Sequence, residues 1–181
     1  MCWFGSGRID KGRKTKMSEY KNKSELAFEK EVIEYLTHIG GVKQWEYLEE
    51  IKTTEQLWDN FKTILEQNNR ARLQEPLTVT EFNQVKKIIS NIDTPYHAGQ
   101  FLYGVNGVSE IEIDLDSGQH VFLTVFDQAQ VGGGNTVYQI VNQIERPKIV
   151  DGKPNRRFDV TLLINGLPII QIELKKCNAF N

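Results

Sequence analysis

The twenty residues RFDVTLLINGLPIIQIELKK, Arg157 to Lys176, decide the fold. Two apolar runs, Phe158–Ile164 and Pro168–Leu174, flank Asn165-Gly166, a dipeptide suited to the tight turn of a β-hairpin. Register is the informative question, because a slip of one residue exchanges the two faces of a strand. A two-residue loop would put Gln171 and Glu173 on the face of Val160, Leu162 and Ile164. A loop one residue longer groups Val160, Leu162 and Ile164 with Ile170, Ile172 and Leu174. The other face then collects Asp159, Thr161, Leu163, Ile169, Gln171, Glu173 and Lys175. Burial favours the second register, and Pro168, which has no N–H to give to a ladder, suits an irregular connection. In that register Asp159 stands opposite Glu173, with Cβ atoms about 5 Å apart. Carboxylates so close repel unless a cation lies between them. A hard divalent ion with oxygen ligands, Mg²⁺ with Mn²⁺ as a substitute, answers this need. Lys175 projects to the same side, where its ammonium could hold a water or hydroxide against a phosphodiester. Metal, acid pair and lysine together suit metal-dependent phosphodiester hydrolysis. The tripeptide Glu173-Leu174-Lys175 is cheap by itself, since Glu19–Lys21, Glu50–Lys52 and Asp151–Lys153 have the same form. The weight rests on the in-register Asp159 and on the apolar opposite face.

Working back from the hairpin, Glu110–Leu115 alternates as a half-exposed strand, Asp116–Gly118 reads as a turn and His120–Phe126 as the returning strand. Thr136–Ile144 predicts a further strand, followed by a Pro/Gly-rich loop to Pro154. The first half reads as helices. One starts at a Ser24 cap and stops at Gly40-Gly41, with Phe28, Val32, Ile33, Leu36 and Ile39 on one arc. Glu29 falls inside that arc. Two readings of it stay open: an anion at the first turn, favoured with Glu25 by the helix dipole, or a carboxylate reaching into a polar site. A second helix is expected over Thr54–Asn68. A third follows Thr78-Val-Thr-Glu81, which has the form of a capping box, and a short one is expected around Ala98–Tyr103. Helices followed by a mostly antiparallel sheet make the fold class α+β.

Composition narrows the function. The chain has 181 residues, 25% charged and 39% hydrophobic, with a formal net charge of −2. That is one domain with room for a core, and not a bulk-basic nucleic-acid binder. No run approaches the length of a membrane span. Cys2 and Cys177 lie at opposite ends, which suits a reducing, cytoplasmic setting and excludes a disulfide framework. His38, His97 and His120 share no metal-ligand spacing. Gly132–Gly134 lacks the Gly-Lys-Ser/Thr ending of a phosphate loop. Residues 1–16 carry Arg8, Lys11, Arg13, Lys14 and Lys16 against Asp10 and read as a disordered basic tail or expression scar, with the domain over 17–181. Within it the helical part spans 24–103 and the sheet 108–176.

The stretch Arg157–Lys176 resembles the nuclease core of the R (motor and restriction) subunit of type I restriction–modification enzymes. Those subunits carry an N-terminal PD-(D/E)xK nuclease domain of the restriction-endonuclease-like fold. Phe158 replaces the proline usual before the aspartate. Asn135–Tyr138, Val141–Gln143 and Ser24–Glu29 share the resemblance. It implies Asp159 and Glu173 as metal ligands, completed by the Leu174 carbonyl, and Lys175 as the catalytic lysine. It also implies Gln171 as a contact for water or phosphate, and Glu29 at the place where related nucleases sometimes add a helix carboxylate. The family cuts double-stranded DNA with Mg²⁺ after ATP-driven translocation, in complex with methyltransferase and specificity subunits. It continues with a Gln-x-x-x-Tyr helix, further strands and the motor, none of which precedes Asn181, so a truncated core without ATPase activity is expected. Three rivals remain: a stand-alone or resolvase-like PD-(D/E)xK nuclease, a non-catalytic DNA-binding or assembly remnant, and an α+β domain with a structural ion pair at one strand end.

Overall fold

The computed structural model describes residues 25–39, 44–132, 134–145 and 157–175. The basic tail, the Ser24 cap, the Gly40-Gly41 stop, the loop before Arg157 and Lys176 lie outside the described residues. The architecture is α+β, with four α-helices, one mixed sheet and one antiparallel hairpin among the described residues. The helices are α1 (Glu25–His38), α2 (Thr54–Asn68), α3 (Val79–Ser90) and α4 (Pro95–Tyr103). The strands are β1 (Glu46–Tyr47), β2 (Val108–Asp114), β3 (His120–Asp127), β4 (Tyr138–Glu145), β5 (Arg157–Ile164) and β6 (Leu167–Ile172). β2 and β3 form an antiparallel hairpin, and the others make a four-stranded sheet ordered β1-β4-β5-β6. β1 runs parallel to β4, while β4–β5 and β5–β6 are antiparallel. The short parallel β1 falls inside the stretch expected to be helical. Two residues are too few to carry a periodic signal, and β1 exists only because β4 offers an edge.

Local chemistry explains the helix starts. Thr53 and Thr78 each cap a helix through the N3 backbone N–H, and Gln56 and Glu81 reach back to the cap N–H, so both helices open with full capping boxes. Thr94 caps α4, with Pro95 at its first position. At the end of α2, Asn69 is buried and its amide donates to the carbonyls of Leu65 and Thr124 while its oxygen accepts from the Thr124 N–H. One side chain thus closes the helix and ties it to β3.

The β5–β6 hairpin uses both candidate registers. Ile164 pairs with Leu167 across the two-residue turn Asn165-Gly166, whose φ values of 50° and 79° are the positive pair that a type I′ turn requires. Between Leu162 and Leu163 the register shifts, and Leu162 pairs with Ile170, Thr161 with Gln171 and Val160 with Ile172. The expected extra residue is therefore a bulge at Ile169 beside Pro168, not a longer loop. A tight turn satisfies Asn-Gly and a bulge satisfies burial, so neither preference is given up.

The four-stranded sheet is covered on both faces. Ile33 and Leu36 of α1 pack on Ile140, Val160 and Leu162. On the other side Leu57 of α2 and Ile51 pack on Val141, Ile144 and Leu163. A larger cluster joins α2 and α3 to the β2–β3 hairpin through Phe61, Leu65, Phe82, Val85, Ile111 and Leu123. Two expectations need correction. The α1 stripe that is buried runs through Glu29, Ile33 and Thr37, and Ile39 is 40% exposed past the helix end. Ile170, expected on a buried face, is 47% exposed because β6 is the outer strand. No helix among the described residues is long and apolar enough to cross a membrane.

Candidate functional site

The sequence places its chemistry where β5 begins and β6 ends. Regular pairing stops at Val160 and Ile172, and beyond it the Asp159 carboxylate accepts the Leu174 backbone N–H at 2.6 Å. This contact uses one carboxylate oxygen, Oδ2, and ties the continuation of β6 back to the start of β5. Asp159 and Leu174 are half-buried, while Glu173 and Lys175 are exposed on the segment after β6. The structure thus brings Asp159 against the backbone of the Glu173–Lys175 segment. Gln171 pairs with Thr161 and lines a groove of about 190 Å³ with Trp58, Leu57 and Phe158, next to this strand end.

Glu29 arrives from α1. It is 4% exposed, and its two oxygens accept from the side-chain amides of Asn142 and Gln143, each at 2.5 Å. Burial and double hydrogen bonding match the reading of a carboxylate that reaches into a polar site. Asn142 is the centre of a small hydrogen-bond network. Tyr47 Oη donates to Asn142 Oδ1 at 2.9 Å, and Lys52 Nζ donates to the Asn142 carbonyl at 3.0 Å and to Asn142 Oδ1. Burial pushes the Lys52 ammonium below its ordinary value, against the opposing pull of Glu49, Glu29 and Glu50. Burial, with Glu49 and Glu29 adding to it, raises the Tyr47 hydroxyl.

Backbone geometry explains why Asn142 and Gln143 both reach one carboxylate. Neighbours on a regular strand point to opposite faces. Gln143, however, has φ 57°, a left-handed conformation that costs a residue with a side chain about 1–2 kcal/mol. The pairs Asn142–Val160 and Ile144–Phe158 set Gln143 opposite Asp159 in the register. The Glu29 network therefore adjoins the Asp159 position across one strand pair. Sequence reasoning did not single out Asn142, Gln143, Tyr47 or Lys52 as site residues. The signal available was the polar pair Asn142-Gln143 inside an otherwise apolar strand, facing a carboxylate inside an apolar helix arc.

The residues that the sequence nominates as metal ligands, the Asp159 and Glu173 carboxylates and the Leu174 carbonyl, offer oxygen donors only. That donor set suits a hard divalent cation. Glu29 is already committed to two amides. Among the described residues no group of three or more His, Cys, Asp or Glu side chains is placed to hold a metal ion.

Comparison with known proteins bears on this arrangement. A family model described as type I restriction enzyme R protein N terminus matches residues 16–181. A type I restriction enzyme endonuclease subunit from Staphylococcus aureus (strain MSSA476) is 30% identical over 154 residues, covering 84% of this chain and 15% of that protein. A type I restriction enzyme endonuclease subunit from Staphylococcus saprophyticus is 32% identical over the same length, with the same coverage. The chain spans about 15% of the length of these curated relatives.

Proposed function

Because this chain belongs to the family of type I restriction enzyme R protein N-terminal regions, we propose that it is the DNA endonuclease domain of such a subunit. Its substrate is double-stranded DNA, and its core is a PD-(D/E)xK nuclease that the rest of a longer subunit completes. Asp159, Glu173 and the Leu174 carbonyl hold Mg²⁺, or Mn²⁺ in its place. Bound there, such an ion would supply Lewis-acid chemistry for phosphodiester hydrolysis. Lys175, exposed one residue beyond the carbonyl donor, keeps its ammonium beside the scissile phosphate and orients the attacking water. Gln171, on the groove side of β6, touches the water or a phosphate oxygen. Glu29 stands one strand away from the metal ligands. ATP-driven translocation belongs to a motor outside this chain, and methyltransferase and specificity subunits supply the recognised sequence. The setting is cytoplasmic.

One observation carries the reading: the Asp159 carboxylate sits 2.6 Å from the Leu174 N–H, at the junction of the two segments that hold the proposed ligands. The family match supports reading this junction as a metal site. Calorimetric titration of the 181-residue chain with Mn²⁺ tests it. Binding by the wild type and none by Asp159→Ala is the expected result. Equal binding by both proteins removes Asp159 from the site and ends the metal reading. Cleavage of linear DNA without ATP or partner subunits would instead favour a stand-alone nuclease.

A further inference from the structure

Glu29 carries a role that its distance in sequence from the proposed ligands hides. The strand alternation breaks at two positions that face each other. On β4, Val141 and Ile144 pack in the same cluster with Leu163, although an odd spacing should send them to opposite faces. On β5, Phe158 and Thr161 line the same groove, while Val160 points into the α1 cluster. Between these residues lie Gln143 and Asp159, opposite each other in the register but absent from the regular pairing. The break thus falls at Asp159 itself. Its carboxylate bonds to the backbone of the neighbouring segment at Leu174.

A left-handed Gln143 persists only when its surroundings hold it. Its side-chain amide ends on Glu29 Oε2, and the adjoining Asn142 amide on Glu29 Oε1. Asn142 is itself anchored by Tyr47 and Lys52. We propose that Glu29 is a positioning residue: it clamps Asn142 and Gln143, fixes the strand break, and thereby aims Asp159 at the end of β6. Its two oxygens serve the clamp, not a metal ion. The bearing of this clamp on catalysis rests on the metal reading of Asp159 given above. The clamp itself does not.

The test uses the full 181-residue chain without metal, with amide hydrogen exchange read by NMR. Glu29→Ala removes the clamp. The expected result is loss of protection at the Leu174 amide, with the Leu162 and Ile170 amides of the β5–β6 ladder unchanged. Glu29→Gln keeps wild-type protection, because a primary amide can accept one bond and donate the other once its partner amide turns over. Ile33→Ala, on the same helix and in the same packing cluster, serves as the control and leaves Leu174 no more affected than the ladder. If Glu29→Ala does not fold, Gln143→Gly replaces it, since glycine accepts the left-handed backbone and deletes only the tether. A uniform loss across the ladder, no change at Leu174, or Glu29→Gln behaving as Glu29→Ala each overturns the proposal. Mn²⁺ titration of the same proteins separates the two readings. With positioning, Glu29→Gln binds as the wild type does and Glu29→Ala binds about tenfold more weakly, as loss of an outer support does. Loss of binding in Glu29→Gln makes Glu29 a ligand and overturns the clamp. Absence of binding by the wild type ends the metal reading, and the exchange data then decide the clamp alone.

Discussion

Asn165 sits at φ 50° in the β5–β6 turn and is 5% exposed. Its oxygen accepts the Val137 N–H at 2.9 Å, its amide donates to the Val125 carbonyl at 3.0 Å, and its own N–H donates to the Val137 carbonyl. A residue chosen for a surface turn thus joins the four-stranded sheet to the β2–β3 hairpin. Asn165→Ala should cost about 2–3 kcal/mol, by leaving the buried Val125 carbonyl and the part-buried Val137 N–H unpaired, and a lower urea midpoint with an unchanged slope checks it. Asn165→Gly should cost nearly as much despite accepting the backbone, which separates the lost bonds from strain. Gly166 has φ 79°, and a Cβ there would stand 2.8 Å from the Phe61 Cα. Gly166→Ala should therefore cost more than about 1 kcal/mol, read in the same way.

The capping box of α3 carries a pH dependence at the scale of an element. Glu81 accepts the Thr78 N–H and, through its other oxygen, the Asp116 N–H at 2.7 Å, so it closes the helix and the β2–β3 turn together. The Asp116 and Thr78 backbone bonds hold its carboxyl below the ordinary value of 4.5, against a smaller rise from burial. A depressed carboxyl stabilises the fold fully above its unfolded-state value. The contribution disappears as pH falls through the lower folded-state value. Glu81→Gln should therefore lose stability relative to the wild type at neutral pH, with the gap narrowing in acid, as melting curves from pH 7 down to 3 would record. Thr78→Ala should cost about 1 kcal/mol at neutral pH.

For the whole molecule, stability and the proposed chemistry reside in different layers. The largest apolar cluster joins α2 and α3 to the β2–β3 hairpin, whereas Asp159 and Leu174 meet at one end of the other sheet. Leu123 is fully buried in that cluster. Leu123→Ala should cost about 2–5 kcal/mol and leave Mn²⁺ affinity intact at a temperature where the protein stays folded. Asp159→Ala should do the reverse: it loses the ion while stability changes by only about 1 kcal/mol, the worth of one hydrogen bond. Calorimetric melting beside titration of both proteins would expose any coupling between the layers.

The sequence alone determined what local chemistry can determine. Thr78 starts α3 by accepting the N–H of Glu81, and the start of α2 at Thr54 was legible too, whereas Thr94 and Pro95 open α4 three residues before the expected Ala98. The Asn165-Gly166 turn and the apolar alternation of β5 gave the hairpin and the pairing of Val160 with Ile172. Asp159, Glu173 and Lys175 stood out in the sequence as a pattern and a resemblance, and their metal and catalytic roles are the proposal made above. Tertiary structure decided what depends on contacts distant in the chain. A bulge at Ile169 reconciled two registers that no single regular hairpin holds. β1 became a strand because an edge of β4 was free to pair. The bonds that Glu29 accepts from Asn142 and Gln143 span more than a hundred residues, and they accompany a left-handed Gln143 that no propensity of glutamine announces. Hydrogen-bond capping and alternation act over a few residues and leave a mark in the sequence, whereas the partner of a buried carboxylate is chosen only when distant segments pack.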